Sequence, residues 1–222
     1  ITEIKASLFD GMTTKEIYKK AFELLKLNSR PTAARYKLKN AIMELGPTGF
    51  PFEKFIGEIL RKEGFKVSIG VFMEGKCVRH EIDVLAEKDN QYFMIECKYH
   101  NELGTISNVK TPLYIQSRFL DVEEQWKKMP GNETKTHQGW LITNTRFSED
   151  ALQYGNCVGL RLMSWDYPKI GSLKEKIDNS GLHPITCLTT LTRAEKQRLL
   201  SMDKVFSADL CKEPMLLNKL KI

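Results

Sequence analysis

The 222-residue sequence predicts an α/β protein. Through the middle of the chain, segments with strand character alternate with amphipathic helical patterns, an order typical of helices packed on a central sheet. The composition, 41% hydrophobic and 28% charged, is that of an ordinary globular protein and argues against intrinsic disorder. At roughly 100–200 residues per domain, this length fits one large domain or a medium one with small additions.

The first fifty residues predict two helices. Thr13 and Glu16 have the spacing of a capping box, and apolar residues follow at helical intervals. We expect a second helix over residues 32–45, because Gly46 is a typical C-terminal glycine and Pro47 breaks helices. The Gly-Pro pair marks the first domain boundary.

The next segment predicts a helix followed by strands. An apolar stripe from Phe52 indicates a third helix that ends at Gly64, and residues 65–68 have strand character. Residues 78–87 and 91–99 are two further strand candidates, joined by a cluster of turn-forming residues. A β-hairpin is the simplest interpretation of this pair.

A long helix is predicted from Pro112 to Lys128, with Thr111 as its N-cap and proline at the first helical position. Residues 139–143 indicate a buried strand. Ser148 is placed to cap a short helix that ends at residue 155, and residues 157–163 are a further strand candidate.

A small helical tail is predicted after Pro168. It comprises a helix at residues 174–178, a helix that starts with the capping box of Thr192 and Glu195, and a last helix at residues 210–220. The predicted domains are an N-terminal helical segment, a central α/β domain and a C-terminal helical cap, at residues 1–46, 47–168 and 169–222.

The net charge is distributed unevenly along the chain. It is +4 over residues 1–50, −2 over residues 51–168 and +4 over residues 169–222. Basic segments can bind a phosphate backbone, and an acidic centre can hold a divalent cation. Solvated lysine-rich helix faces produce the same sums, so charge alone leaves nucleic-acid binding open.

Several classes of protein are excluded by missing motifs. No apolar run reaches the ~18–20 residues of a spanning helix, so we expect a soluble, cytoplasmic protein without a membrane partner. The five scattered cysteines include no C-x-x-C pair, which predicts reduced thiols. Phosphate-loop, dinucleotide-binding and serine-hydrolase patterns are absent from the sequence.

The predicted hairpin carries the residues that indicate chemistry. Glu96 and Lys98 project to the same side of the second strand, because side chains alternate along a strand. The hairpin can bring Asp83, on the first strand, beside Glu96. Two neighbouring carboxylates favour a divalent cation, and Mg²⁺ (or Mn²⁺) prefers such oxygen ligands. With Lys98 near the attacking water, these groups could hydrolyse a phosphodiester. The alternative is a cross-strand ion pair between exposed side chains.

The order Asp83, then Glu96-x-Lys98, resembles the core of the PD-(D/E)xK nucleases. The sequence EIDVLAE…YFMIECKYH is most similar to the corresponding segments of Mrr-type restriction endonucleases and archaeal Holliday junction resolvases. This resemblance covers about residues 47–165. It implies a restriction-endonuclease-like α/β/α core with a mixed central sheet, and DNA as the partner.

The same resemblance implies further residues. Phe52-Glu53 matches the acidic position near the start of the helix before the first strand, which makes Glu53 the implied third acid. Gln116 lies where related nucleases often keep a polar residue that faces the site, but we interpret it as a solvated glutamine. We interpret His100 as a surface histidine at the end of a strand.

The N-terminal segment resembles the C-terminal half of an ATP-cone, the regulatory module of ribonucleotide reductases. The half that usually supplies the nucleotide-contacting loop is not in these 222 residues, so we do not expect this segment to bind ATP.

We expect a Mg²⁺-dependent DNA endonuclease in which Glu53, Asp83 and Glu96 hold the metal and Lys98 assists the water. Cutting both strands of a duplex would require two copies, which points to a homodimer. One alternative is a catalytically inactive DNA-binding module of the same fold. A second is a regulator that senses ATP or dATP.

Overall fold

The computed structural model describes residue 5 and residues 8–29, 32–33 and 36–220. Helices α1 and α2 precede the helix α3 that leads into the sheet, and α4 and α5 lie between its later strands. None of the helices within these ranges is long and apolar enough to cross a membrane. The bounds of these helices are Thr14–Asn28 (α1), Leu38–Met43 (α2), Phe50–Lys62 (α3), Lys110–Trp126 (α4) and Glu149–Cys157 (α5).

The strands form a mixed central sheet in the order β1-β2-β3-β5-β7. The first three strands are antiparallel neighbours, and β3, β5 and β7 run parallel. Strands β4 and β6 form a separate two-stranded parallel pair. The bounds are Lys66–Glu74 (β1), Arg79–Lys88 (β2), Gln91–Lys98 (β3), Ile106–Ser107 (β4), Thr136–Thr143 (β5), Arg146–Phe147 (β6) and Arg161–Met163 (β7).

Apolar side chains cover both faces of the sheet. The larger core joins α3 to sheet residues such as Val84, Ile95 and Trp140. On the other face, Leu141 packs with Ile115 of α4 and with residues of α5 and β7. The chain therefore has the α/β/α layers and the mixed sheet that the sequence predicts, and both predicted hairpin strands are confirmed.

The C-terminal part of the chain is helical, as predicted, and packs on the larger core. Its first helix, α6, ends at the left-handed Gly181, and the capping box of Thr192 and Glu195 begins α7. The bounds are Leu173–Ser180 (α6), a 3-10 turn at Ile185–Cys187, Arg193–Ser201 (α7), Ser207–Lys212 (α8) and Met215–Leu220 (α9).

Some predicted boundaries are wrong. Helix α4 begins at Lys110, with Val109 as its N-cap and no side-chain cap, so the predicted Thr111 cap is wrong. The predicted single helix at residues 210–220 is two helices, α8 and α9, with Pro214 between them. Helix α5 extends to Cys157, which leaves only three residues for β7.

Of the second predicted helix, over residues 32–45, the structure has a helix at Leu38–Met43, and residues 32–33 and 36 are also helical. Residues 34–35 of that prediction lie outside the described ranges. The capping boxes at Thr13 and Thr192 and the Ser148 cap are confirmed.

The N-terminal and C-terminal segments pack against each other. The buried Thr186 hydroxyl donates to the carbonyl of Ala41 at 2.6 Å, and the Gln197 amide donates to the carbonyl of Glu44 at 3.0 Å. Residues Ala41 and Leu45 belong to the same apolar core as Leu199 of α7. These contacts hold two segments that are about 145 residues apart in sequence in one layer.

Removing the Thr186 hydroxyl is expected to loosen this layer. Thr186→Val keeps the side-chain shape but removes one of two donors to the Ala41 carbonyl, which still accepts the Glu44 N–H at 3.2 Å, and the loss costs about 0.5–1.5 kcal/mol. The melting temperature of a chain of this size then falls by about 2–4 °C for each kcal/mol. Thermal unfolding followed by circular dichroism checks this, with exposed Thr190→Val as the matched control. An unchanged melting temperature in Thr186→Val would contradict the role given to this bond.

Candidate active site

Asp83 lies where the pairing of β2 with β3 has ended, while β2 stays paired with β1 on either side of it. The pairing of β2 with β3 runs from Lys88–Gln91 to Val84–Ile95 and ends there. On the other side, the register with β1 passes over Asp83, which faces Gly70. Gly70 has a φ of 62°, a left-handed conformation that glycine adopts without strain. The Asp83 side chain is therefore free to turn towards β3, where its Oδ2 accepts the backbone N–H of Cys97 at 2.7 Å.

Glu96, on β3, is a buried carboxylate with one paired oxygen. Its side chain is 9% exposed, and Oε2 forms an ion pair with Nη1 of Arg118 at 2.7 Å. Its other oxygen, Oε1, is buried and has no hydrogen-bond partner. A buried carboxylate oxygen without a donor is unfavourable unless a cation or proton satisfies it.

Arg118 is itself held in place by several contacts. Its guanidinium donates to the Glu81 carbonyl and, through Nε, to Nδ1 of His80 at 3.5 Å. The other nitrogen of the His80 ring, Nε2, lies 2.8 Å from Oδ2 of Asp121. The bond with His80 is the main reason that the pKa of Asp121 falls to about 2. Asp121 also accepts the backbone N–H of Cys77 at 2.8 Å, which ties the β1–β2 turn to α4.

Glu53 adds a third carboxyl group from the first turn of α3. Burial, and then the charges of Asp83 and Glu81, raise the pKa of Glu53 to about 7. Burial and the charge of Asp83 raise the pKa of Glu96 to about 8, and Glu53 adds to that effect. Burial also raises the pKa of Asp83, against the hydrogen bond from Cys97. These three acids therefore influence one another electrostatically.

Lys98 lies at the end of β3, two residues beyond Glu96, and is exposed. Within the described residues it makes no hydrogen bond or ion pair, so its ammonium group is available to a ligand. The alternative of an exposed ion pair between Glu96 and Lys98 is wrong, because Glu96 is buried and pairs with Arg118.

Two interpretations of neighbouring polar residues need correction. Gln116 is 9% exposed with an unpartnered, buried Oε1, so it is not a solvated glutamine. It lies on the face of α4 that also buries Ile115 and Trp126. His100 is half-buried, and its Nε2 lies 2.9 Å from the hydroxyl of Ser107, so its ring belongs to the loop and not to the open surface.

Arg118, His80 and Asp121 were not predicted as a group. Cys77 and His80 suggest half a zinc site in sequence, yet His80 pairs with Asp121. Arg118 and Asp121 are three residues apart on one helix, so their shared face could have been inferred. Their partners on β2 and β3 depend on long-range packing that no local pattern reveals.

The residues present suit a hard divalent cation by their chemistry. Burial, and then the charge of Asp83, raise the pKa of Glu53 and of Glu96, and one buried oxygen of Glu96 lacks a partner. A dication relieves both conditions, and Mg²⁺ takes carboxylate oxygen while retaining waters. As placed, no three acidic, histidine or cysteine side chains in the described part of the chain converge closely enough to form a metal site.

Comparison with known proteins identifies the central region. The family model Mrr_cat, described as restriction endonuclease, matches residues 47–170, and the model described as AF1548-like, C-terminal, matches residues 183–222. An uncharacterized protein of Archaeoglobus fulgidus is 39% identical over 133 residues, which cover 60% of this chain and 71% of that protein. These comparisons do not support the resemblance of the N-terminal segment to an ATP-cone.

Two solved structures are similar to the chain, to different extents. The crystal structure of a protein of unknown function, AF1548, superposes with a TM-score of 0.62 and 35% identity, covering 73% of this chain and 83% of that one. Can2 from Sulfobacillus thermosulfidooxidans, solved in complex with cyclic tetra-adenylate, has a TM-score of 0.41 and 18% identity, covering 58% and 34%.

The pKa shifts predict that the metal-free protein loses stability as the pH rises. Above the ordinary value of 4.5, the unfolded chain releases protons that Glu53 and Glu96 retain in the fold up to about pH 7 and 8. Because the pKa values are raised in the folded protein, the stability that these retained protons contribute is complete below pH 4.5 and is lost by about pH 8.

Glu96→Gln cannot ionise and should weaken this dependence. Between pH 5 and 8 the melting temperature of Glu96→Gln should fall less than that of the parent, whatever the cost of leaving Arg118 without its carboxylate partner. Thermal melts from pH 5 to 8 in EDTA measure it, with exposed Glu102→Gln as the control. Parallel pH profiles for Glu96→Gln and the parent would show that Glu96 does not carry the shift.

Proposed function

The chain belongs to the restriction endonuclease family whose Mrr_cat model spans its central domain, and from this premise we propose that it is a metal-dependent endonuclease that hydrolyses phosphodiester bonds in DNA. The observation that carries the proposal is the buried carboxylate of Glu96, which keeps one unpartnered oxygen and precedes Cys97, whose amide binds Asp83; the exposed Lys98 follows directly. A nuclease of this type needs carboxylates for a metal and a cation near the scissile phosphate.

Glu96, Asp83 and Glu53 would hold Mg²⁺ or Mn²⁺. The ion, when bound, would activate water and offset charge on the leaving oxygen. Asp83 keeps its direction through the Cys97 amide, and Arg118 holds one oxygen of Glu96 while the other stays available. Lys98 would contact a non-bridging phosphate oxygen, orient the attacking water and stabilise negative charge as the phosphorus centre gains its fifth oxygen.

The alternative hypothesis, a DNA-binding module without activity, predicts salt-sensitive DNA binding that does not depend on metal. The unpartnered oxygen of buried Glu96 favours the enzyme over the inactive module. A site that no longer binds metal would be more stable if this atom had a hydrogen-bond partner or were replaced by an apolar group. A single site of this kind cuts one strand, so cleavage of both strands would use two copies of the chain.

Loss of the Asp83 charge should abolish cleavage while the fold persists. Asp83→Asn keeps an oxygen that can accept the Cys97 amide but removes the negative charge, and Lys98→Met removes the free cation. Each should lower the cleavage rate by about 10²–10³-fold or more, the scale of losing one electrostatic group from such a site. The exposed Lys66→Met on β1 is the matched control and should cut normally.

The assay is a panel of plain, methylated, branched and single-stranded DNA with Mg²⁺ or Mn²⁺, and EDTA as the blank. Cleavage that persists in Asp83→Asn would assign the activity to another site. If the parent protein cuts no DNA in the panel and binds no divalent ion, the nuclease proposal fails.

Arg118 is expected to act as a positioning residue for Glu96. Arg118→Met removes the donor to Oε2, so the carboxylate loses its orientation and the affinity for a divalent ion should fall about tenfold, as for other residues that orient a ligand. Calorimetric titration with Ca²⁺ measures this without cleavage, with the exposed Arg146→Met as the control. Tighter binding in Arg118→Met would instead show that Arg118 and the metal compete for Glu96.

A further inference from the structure

A groove of about 980 Å³ lies beside the candidate site and plays no part in the chemistry described so far. One wall comes from α2 and the residues that follow it, a second from the loop after β3, and a third from α7. Its polar lining includes Lys37, Glu44, Asn101, Arg193, Lys196 and Gln197, and its apolar lining includes Met43, Leu103 and Leu191.

The groove is the place where the two basic ends of the chain meet. Lys37 belongs to the N-terminal segment of net charge +4, and Arg193 and Lys196 belong to the C-terminal segment of the same net charge. The bonds from Thr186 to Ala41 and from Gln197 to Glu44 bring these segments together. Charges that are far apart in the sequence thus line one surface.

The cations of the groove exceed the carboxylates that pair with them. Glu44 receives two ammonium groups, from Lys37 at 3.1 Å and from Lys196 at 3.5 Å. Lys196 is 4% exposed, and burial together with the charge of Lys37 lowers its pKa. Arg193 is exposed and forms no ion pair within the described residues. Glu102 also lines the groove, so the lining carries three cations and two carboxylates, and the exposed Arg193 is the cation available to an anionic ligand.

The groove continues directly from the candidate site. Tyr99 follows Lys98, and its hydroxyl donates to the Met43 carbonyl at 2.7 Å and accepts the Gly46 amide at 2.7 Å. Asn101 donates to the carbonyl of Pro47 at 3.3 Å. Met43, Gly46, Pro47 and Asn101 all line the groove. The chain therefore runs from Lys98 to the lining of the groove, at Asn101, within three residues.

We propose that this groove binds the phosphate backbone of the DNA strand that flanks the scissile phosphate, with Arg193 and Lys37 as phosphate contacts. The inference rests on the proposed nuclease function and specifies its substrate surface. Apolar side chains such as Met43 and Leu191 would contact sugars, and the cations would release counterions from the phosphates. Binding at this surface would be insensitive to sequence.

Charge reversal at Arg193 tests the proposal. Arg193→Glu should weaken the binding of a labelled DNA duplex about tenfold and lower the slope of log affinity against log salt by about 1 or more, in line with the loss of a phosphate contact. Lys66→Glu makes the same charge change at exposed Lys66, near the opposite end of the sheet from Lys98, and should change affinity less than about twofold. Fluorescence anisotropy in EDTA measures binding without cleavage, and circular dichroism confirms the fold of both variants.

The outcomes separate this inference from the nuclease proposal. If Arg193→Glu weakens binding but the parent protein does not cut DNA, the groove stands and the nuclease proposal fails. Equal effects of Arg193→Glu and Lys66→Glu in a protein that cuts DNA would overturn the groove alone. An ATP titration completes the test: ATP binding that requires Arg193, with DNA binding that does not, would assign the groove to a free nucleotide and overturn the inference. A parent protein that binds no DNA would also overturn it.

Discussion

The hydrogen bond from the Cys97 amide to Asp83 replaces a backbone contact at the point where β2 and β3 separate. A strand that leaves its partner exposes polar backbone groups that must be satisfied in the interior. Asp83 supplies the acceptor, and this places its charge beside the buried Glu96. Two carboxylates that are poorly solvated need a cation or a proton to offset their charge. Arg118 supplies a cation to one oxygen of Glu96, the other oxygen has no partner, and the pKa of Glu96 is raised.

The surroundings of the carboxylates are rigid on one side and open on the other. On the α4 side, Asp121 binds His80 and the β1–β2 turn, and His80 in turn contacts Arg118. On the open side, Lys98 is exposed and the groove begins. Metal binding is tighter and better oriented when neighbouring side chains hold one oxygen of a ligand carboxylate and its second oxygen faces the metal. The fold thereby separates a packed wall that carries the acids proposed to bind metal from an open surface that carries Lys98.

Local patterns in the sequence predict the helix caps, the hairpin and the order of Asp83, Glu96 and Lys98, because each depends on neighbours within a few residues or on strand alternation. The predicted Thr111 cap is wrong, since α4 begins at Lys110 without a side-chain cap. The burial of Gln116 and the pairing of Arg118 with Glu96 could not be predicted, because they depend on which face of α4 meets the sheet. The meeting of Lys37 with Arg193 likewise depends on packing across the whole chain.

The central claim is that Glu53, Asp83 and Glu96 form a divalent-cation site that holds protons until the ion binds. Calorimetric titration with Ca²⁺ at pH 6.5, repeated in buffers of different ionisation enthalpy, measures protons released on binding. Because the pKa values of Glu53 and Glu96 lie near 7 and 8, binding should release about one proton or more, and Glu96→Gln should reduce that number. Binding without proton release, or the absence of Ca²⁺ binding, would contradict the account.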